Sequence, residues 1–170
     1  MRQPIVAWAE DCVVRGDVSM DEGRLSDRLN ELDLLTFFGA TLEALDDGHE
    51  VRVDELEVER RELHLIEVIG RRGDPIRRLR TIQEPVALRV GPFVVTGNLH
   101  RPPSAQPLAA LTRWARFVPV TDAMIEVGGT PAEPVHQDVI LVNRERISAS
   151  RPLAAIAIRP EEPVGDPAAL

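Results

Sequence analysis

The sequence predicts a mainly β protein of the α+β class: two tandem copies of a small bent-sheet or partly open barrel module, each with one short helix. Three observations carry this. First, the chain contains itself twice. Pro4 to Ser19 reads without a gap onto Pro85 to His100 at an offset of 81, with Gly16 on Gly97 and Val13-Val14 on Val94-Val95. Val58 to Leu63 reads onto Val142 to Ile147 at an offset of 84. Second, valine-rich apolar runs bounded by Gly, Pro, Asn and Asp recur in both copies, as strands require. Third, helical spacing of apolar residues is confined to one short segment per copy.

The boundaries follow: residues 1–81 form the first module, 82–158 the second, and 159–170, with Pro160, Pro163 and Pro167, a tail. Modules of this size are marginal alone, so the two are expected to pack on each other.

Each copy opens with two strands or one bent strand, interrupted at Glu10-Asp11 and at Gly91-Pro92. The paired Gly16 and Gly97 lie inside the second arm, where glycine marks a bulge or a close backbone approach. A helix comes next, through Leu25, Leu29 and Leu32 in copy one and from Ser104 through Leu108, Leu111 and Ala115 in copy two. Pro102-Pro103 blocks an earlier start. A strand follows, Leu35 to Leu42 and Phe117 to Val127, with Pro119 pointing to an edge position or a strand beginning. The closing element reads as a hairpin, Val51 to Val58 with Leu63 to Ile69, and Asp138 to Val142 with Arg146 to Ala149. Its turns fall near Arg60 and at Asn143-Arg144. A parallel nucleotide-binding fold is excluded by the small number of helices and by the lack of a Gly-rich turn from strand to helix.

Composition removes chemistry. All 20 basic residues are arginine and no tyrosine occurs, which suits a GC-rich bacterial source and excludes a Schiff-base or phosphate-loop lysine and a tyrosine acid or base. Net charge of −8 argues against broad binding to nucleic acid or to an anionic membrane. Cys12 is the only cysteine, so no intrachain disulfide and no cysteine-based zinc site is expected. It aligns with Phe93 and reads as an inert apolar position. Neither a signal peptide nor a membrane helix is legible, and a cytoplasmic location is expected.

Around Gly97 to Pro103, Phe117 to Ala123 and Val142 to Arg144, the second copy resembles small uncharacterised bacterial β-rich domains of unknown function. The resemblance implies a fold type and no catalytic residues. In the first copy it finds Gly39-Ala40 in place of Thr121-Asp122. A weaker likeness is to Sm-like barrels, through the hydrophobic-Asn turn of Val142-Asn143-Arg-Glu-Arg-Ile147, although Arg144 stands where that turn has glycine.

His49, His64, His100 and His136 form no ligand pair of metal-binding spacing. Thr121-Asp122 and the Asp17/Asn98 positions suit strand-end and turn capping. Without a nucleophile and base at recognisable spacing, no enzyme activity and no cofactor is expected. Charge is segregated: residues 43–62 carry nine carboxylates against three arginines, while Arg71, Arg72, Arg77, Arg78 and Arg80 cluster between the copies. These arginines are candidate contacts for an acidic partner. The expected function is a non-enzymatic interaction or scaffold protein, binding a protein partner or a second copy of itself. The alternatives are a small-ligand or nucleotide sensor with its pocket between the copies at Gly16, Gly97, Asn98, His100 and Asp122, or an Sm-like RNA-binding module.

Overall fold

The computed structural model describes residues 2–19, 29–69, 81–112, 115–129 and 133–153. The expected tail, most of the first helix, and the linker cluster Arg71, Arg72, Arg77, Arg78 and Arg80 lie outside the described residues.

The ten strands are β1 (Arg2–Trp8), β2 (Cys12–Ser19), β3 (Leu34–Ala44), β4 (Glu50–Glu59), β5 (Leu65–Val68), β6 (Ile82–Val90), β7 (Phe93–Arg101), β8 (Phe117–Val127), β9 (Val135–Asn143) and β10 (Ile147–Pro152). They form one open antiparallel sheet in the order β10-β6-β7-β8-β9-β5-β1-β2-β3-β4. The first five strands thus lie as β5-β1-β2-β3-β4 and the last five as β10-β6-β7-β8-β9, joined where β5 pairs with β9. Among the described residues no hydrogen-bonded barrel closes, and β4 and β10 are the edges of the sheet.

Both opening runs are hairpins. Gly91 has φ 56°, the positive value that the first position of a tight two-residue hairpin loop requires, and Val90 faces Phe93 across it. The closing segments are not hairpins. A 3-10 turn, Arg60–Glu62 or Arg144–Arg146, sends the chain away from its preceding strand, so β4 pairs with β3 and β5 with β1, while β9 pairs with β8 and β10 with β6. The turns are held alike. Arg60 N–H donates to Asp33 O at 2.8 Å, and Arg144 N–H to Arg116 O at 2.7 Å.

The helices also differ from expectation. Residues 29–31 are helical in the first half, whereas the described residues of the second form no α-helix between β7 and β8 and make a 3-10 turn there, Ala109–Thr112. Leu108 carries φ 57° directly before that turn, which no right-handed helix accommodates, and Pro107 lacks the N–H a helix interior needs. The Glu84 carboxylate receives the Leu108 N–H at 3.0–3.1 Å and fixes the kink. Pro119 is tolerated near the start of β8, where the ladder to β7 has stopped at Thr121 and β8 pairs with β9 alone.

Two apolar clusters occupy opposite faces of the sheet. In β1, Val6 and Trp8 pack with Leu88, Phe93, Val95 and Ile125, while Ile5 and Ala7 pack with Leu35, Phe37 and Leu63. β9 divides the same way, Ile140 and Val142 against Leu141. Burial on both faces explains why Ile5 to Trp8, Leu63 to Ile66 and Ile140 to Asn143 are unbroken buried runs rather than alternating ones.

Candidate functional site

The predicted ligand residues separate into two corners. Gly16 is on β2, whereas Gly97, Asn98 and His100 are on β7 and Asp122 on the adjoining β8. Four strands, β8, β9, β5 and β1, lie between β7 and β2, so the sheet order brings four of these residues together and leaves Gly16 apart. None of the five is on β5 or β9, which form the junction.

The two corners have one design. Opposite Gly16, β3 carries one extra residue between Thr41 and Phe38; opposite Gly97, β8 carries one between Met124 and Thr121. The bulge is therefore on the strand facing each glycine, not at the glycine. Gly39 and Asp122 hold it with φ 58° and 49°. The glycines are required by close approach. A Cβ on Gly16 would stand 3.2 Å from Phe38 O and 3.3 Å from Ala40 Cα; one on Gly97 would stand 2.6 Å from Val120 Cγ1 and 2.8 Å from Thr121 O.

Beside Gly97, His100 is held at both ring nitrogens, Nε2 to Thr121 Oγ1 at 2.8 Å and Nδ1 to Thr81 Oγ1 at 3.2 Å. Beside Gly16 is an open depression of about 340 Å³, where the Arg2 guanidinium lies 4.3 Å from the centre of the Phe38 ring. Arg15, on its rim, is paired with Glu43.

The densest polar arrangement is the junction. Asn143 is fully buried; its main-chain N–H donates to His64 O and its Nδ2 to Leu63 O, each at 2.8 Å, while its Oδ1 accepts from Glu145 N–H at 3.1 Å. Arg146 Nε donates to Arg61 O at 2.6 Å, and Asn30 Oδ1 accepts from the N–H groups of Arg116 and Phe117. Buried Arg60 ties the helical residues to the 3-10 turn through Leu29 O at 2.9 Å and Asp33 Oδ1 at 2.6 Å.

His64 is 2 % exposed, with Nε2 3.1 Å from Glu10 Oε2 and, among the described residues, no hydrogen-bond partner at Nδ1. Burial pushes its pKa down, opposed by Glu10 and reinforced by Arg146. Glu67 accepts from Gln137 Nε2 at 3.0 Å across the junction, and burial raises its pKa against the influence of Arg15. Sequence reading missed this set. The one available signal was Asn143 directly after four consecutive apolar residues, Val139 to Val142.

Cys12 is half-buried, and burial and Asp11 hold its thiol pKa above the ordinary value, which disfavours the nucleophilic thiolate. Among the described residues, no cluster of three or more His, Cys, Asp or Glu side chains is arranged to hold a metal ion, and no helix is long and apolar enough to cross a membrane. β4, at one end of the sheet, carries Glu50, Asp54, Glu55, Glu57 and Glu59 against Arg52, and β10, at the other, carries Arg151 and no acid. No family model, curated protein or solved structure matches the chain.

Proposed function

We propose that the chain is two copies of one five-stranded β module, fused in tandem, and that it works as a non-enzymatic scaffold that associates with itself. The observation that carries this is the strand order. Residues 2–69 and 81–153 repeat it strand for strand, with the 3-10 turn in the same place. The bulges at Gly39 and Asp122, each opposite a crowded glycine, support the same reading. Two independent inventions of that pairing within one chain are a poorer explanation than duplication. The modules already join edge to edge through β5 and β9. Edges of this kind offer rows of unpaired backbone donors and acceptors to other strands.

Light scattering coupled to size-exclusion chromatography tests the scaffold reading, at about 50 mM and about 500 mM salt, where screening lengths differ several-fold. Masses that are multiples of 18.8 kDa are expected at low salt. A strict 18.8 kDa monomer at micromolar concentration in both buffers counts against it.

A further inference from the structure

The contact that joins the halves has a second counterpart at the two ends of the sheet, unoccupied among the described residues. We propose that a second copy of this chain completes it: β10 of one molecule pairs antiparallel with β4 of the next, in the register that β5 and β9 use within the chain. The proposal rests on the self-association argued above and names its surface.

The register follows from strand pairings alone. Ile5 faces Gly16 as Val86 faces Gly97, which matches β1 to β6. Ala7 and Trp8 face Ile66 and Leu65 as Leu88 and Arg89 face Ser150 and Ala149, which matches β5 to β10. Phe37 faces Leu56 as Val120 faces Ile140, which matches β4 to β9. Within the chain, Leu65 faces Val142, Ile66 faces Leu141 and Glu67 faces Ile140. The corresponding contacts between molecules are Ala149 with Val58, Ser150 with Glu57, and Arg151 with Leu56.

Two observations favour a second copy as the occupant. The edge of β5 that corresponds to the free edge of β10 is the one that β9 occupies. Charge is complementary, because in this register Arg151 has Asp54 as its diagonal neighbour, two residues from the directly opposite Leu56. Pairing β4 with β4 would instead set two rows of carboxylates against each other. A head-to-tail contact leaves a free β4 and a free β10 at the ends of every open assembly, so growth either closes into a ring or continues as a filament. The contact is more polar than the internal junction, with Ser150 and Arg151 in place of Ile66 and Glu67 and with Glu57 in place of Leu141. It is accordingly reversible and weakened by salt.

The test uses the full chain carrying Cys12→Ser. Val58→Cys and Ala149→Cys are placed on separate molecules, mixed at low salt and oxidised. Opposed residues in an antiparallel pair have Cα atoms about 4.5–5.5 Å apart, within the span of a disulfide. Cross-linking several-fold faster than for Val51→Cys with Ala149→Cys is expected, and slowed by high salt. Arg151→Glu is expected to shift the assembly to monomer, and Asp54→Arg in the same chain to restore it, with circular dichroism confirming that both variants are folded. Assembly that persists without the Val58–Ala149 cross-link overturns this pairing and leaves self-association standing. A monomer under every condition overturns both. Release of assembly only on removal of residues 154–170 shows that the chain's own C-terminal segment occupies the edge, and overturns a second copy as its native occupant.

Discussion

Gly39 and Asp122 hold the same position in two different strands: each is the extra residue of a bulge, with φ 58° and 49°, facing a strand that carries a crowded glycine. An L side chain in this left-handed region costs roughly 1–2 kcal/mol, and aspartate tolerates it better than most residues. Nothing lies within 4 Å of a Cβ built on Gly39, so its conformation alone sets the cost of a side chain there. Gly39→Ala is therefore expected to destabilise by about 1–2 kcal/mol. Asp122→Gly is expected to be neutral or stabilising by up to about 1 kcal/mol, the added chain entropy of glycine offsetting part of the relief. Urea unfolding midpoints check both. A large loss in Asp122→Gly would show that the carboxylate makes a contact worth more than the strain.

The two crowded glycines should differ from each other. At Gly16 the nearest atoms to an added Cβ are 3.2 and 3.3 Å away, and a few tenths of an ångström of backbone movement accommodates it. At Gly97 the Val120 side chain stands at 2.6 Å and the Thr121 carbonyl at 2.8 Å, so both a core side chain and a backbone strand must shift. Gly16→Ala is expected to cost about 1 kcal/mol and Gly97→Ala about 2–3 kcal/mol, the range of overpacking in a close-packed core. Equal losses in denaturant titrations would mean that β8 yields as readily as β3.

Much of this architecture was legible because similar segments recur along the sequence. Matching Gly16 to Gly97 located two equivalent corners, and Gly91-Pro92 located a hairpin. The closing hairpins were misread because a 3-10 turn and a hairpin turn use the same polar residues, and only pairing with β1 or β6 distinguishes them. The second helix failed at Leu108, whose positive φ is imposed by Glu84, a residue 24 positions away. Sequence alone could not show that four strands separate Gly16 from Gly97, because similar sequence positions need not be neighbours in the sheet. The junction was the least legible part. Its hydrogen bonds join residues about 80 apart, Asn143 to Leu63 among them, and no local pattern encodes such a contact.

Asn143 illustrates the energetic difference between the filled junction and the free edge. It is fully buried, and Asn143→Ala leaves the Leu63 carbonyl without its side-chain donor and Glu145 N–H without its acceptor. A loss of about 1–3 kcal/mol is expected, the desolvation penalty of unsatisfied buried groups. The equivalent residue on the free edge is Glu59, exposed and paired with Arg61 at 2.5 Å. Glu59→Ala is expected to change stability by no more than about 0.5 kcal/mol, as surface ion pairs of this kind contribute little. Comparable losses at both positions in thermal unfolding would remove the distinction drawn between β9 and β4.

His64 gives the junction a pH dependence whose sign is fixed. Its pKa is lowered from the ordinary 6.5, chiefly by burial, so between the folded and unfolded values the unfolded chain binds the extra proton. Stability rises with pH wherever the unfolded state binds more protons. The contribution is therefore fully present above about pH 6.5 and falls away as pH drops through the window below it. Glu10 and Glu62 oppose the shift, and Arg146 adds to it. Glu67 acts with the opposite sign in its own window: its pKa is raised above the ordinary 4.5, so stability there falls as pH rises. Comparing wild type with His64→Gln separates the two, since Glu67 is common to both. The stability difference between wild type and His64→Gln, from urea titrations between about pH 5 and pH 8, is expected to shift against wild type below the ordinary histidine pKa and to be flat above it. A difference that stays constant across the whole range would mean that His64 titrates alike in the folded and unfolded chains and that its burial at the junction carries no electrostatic cost.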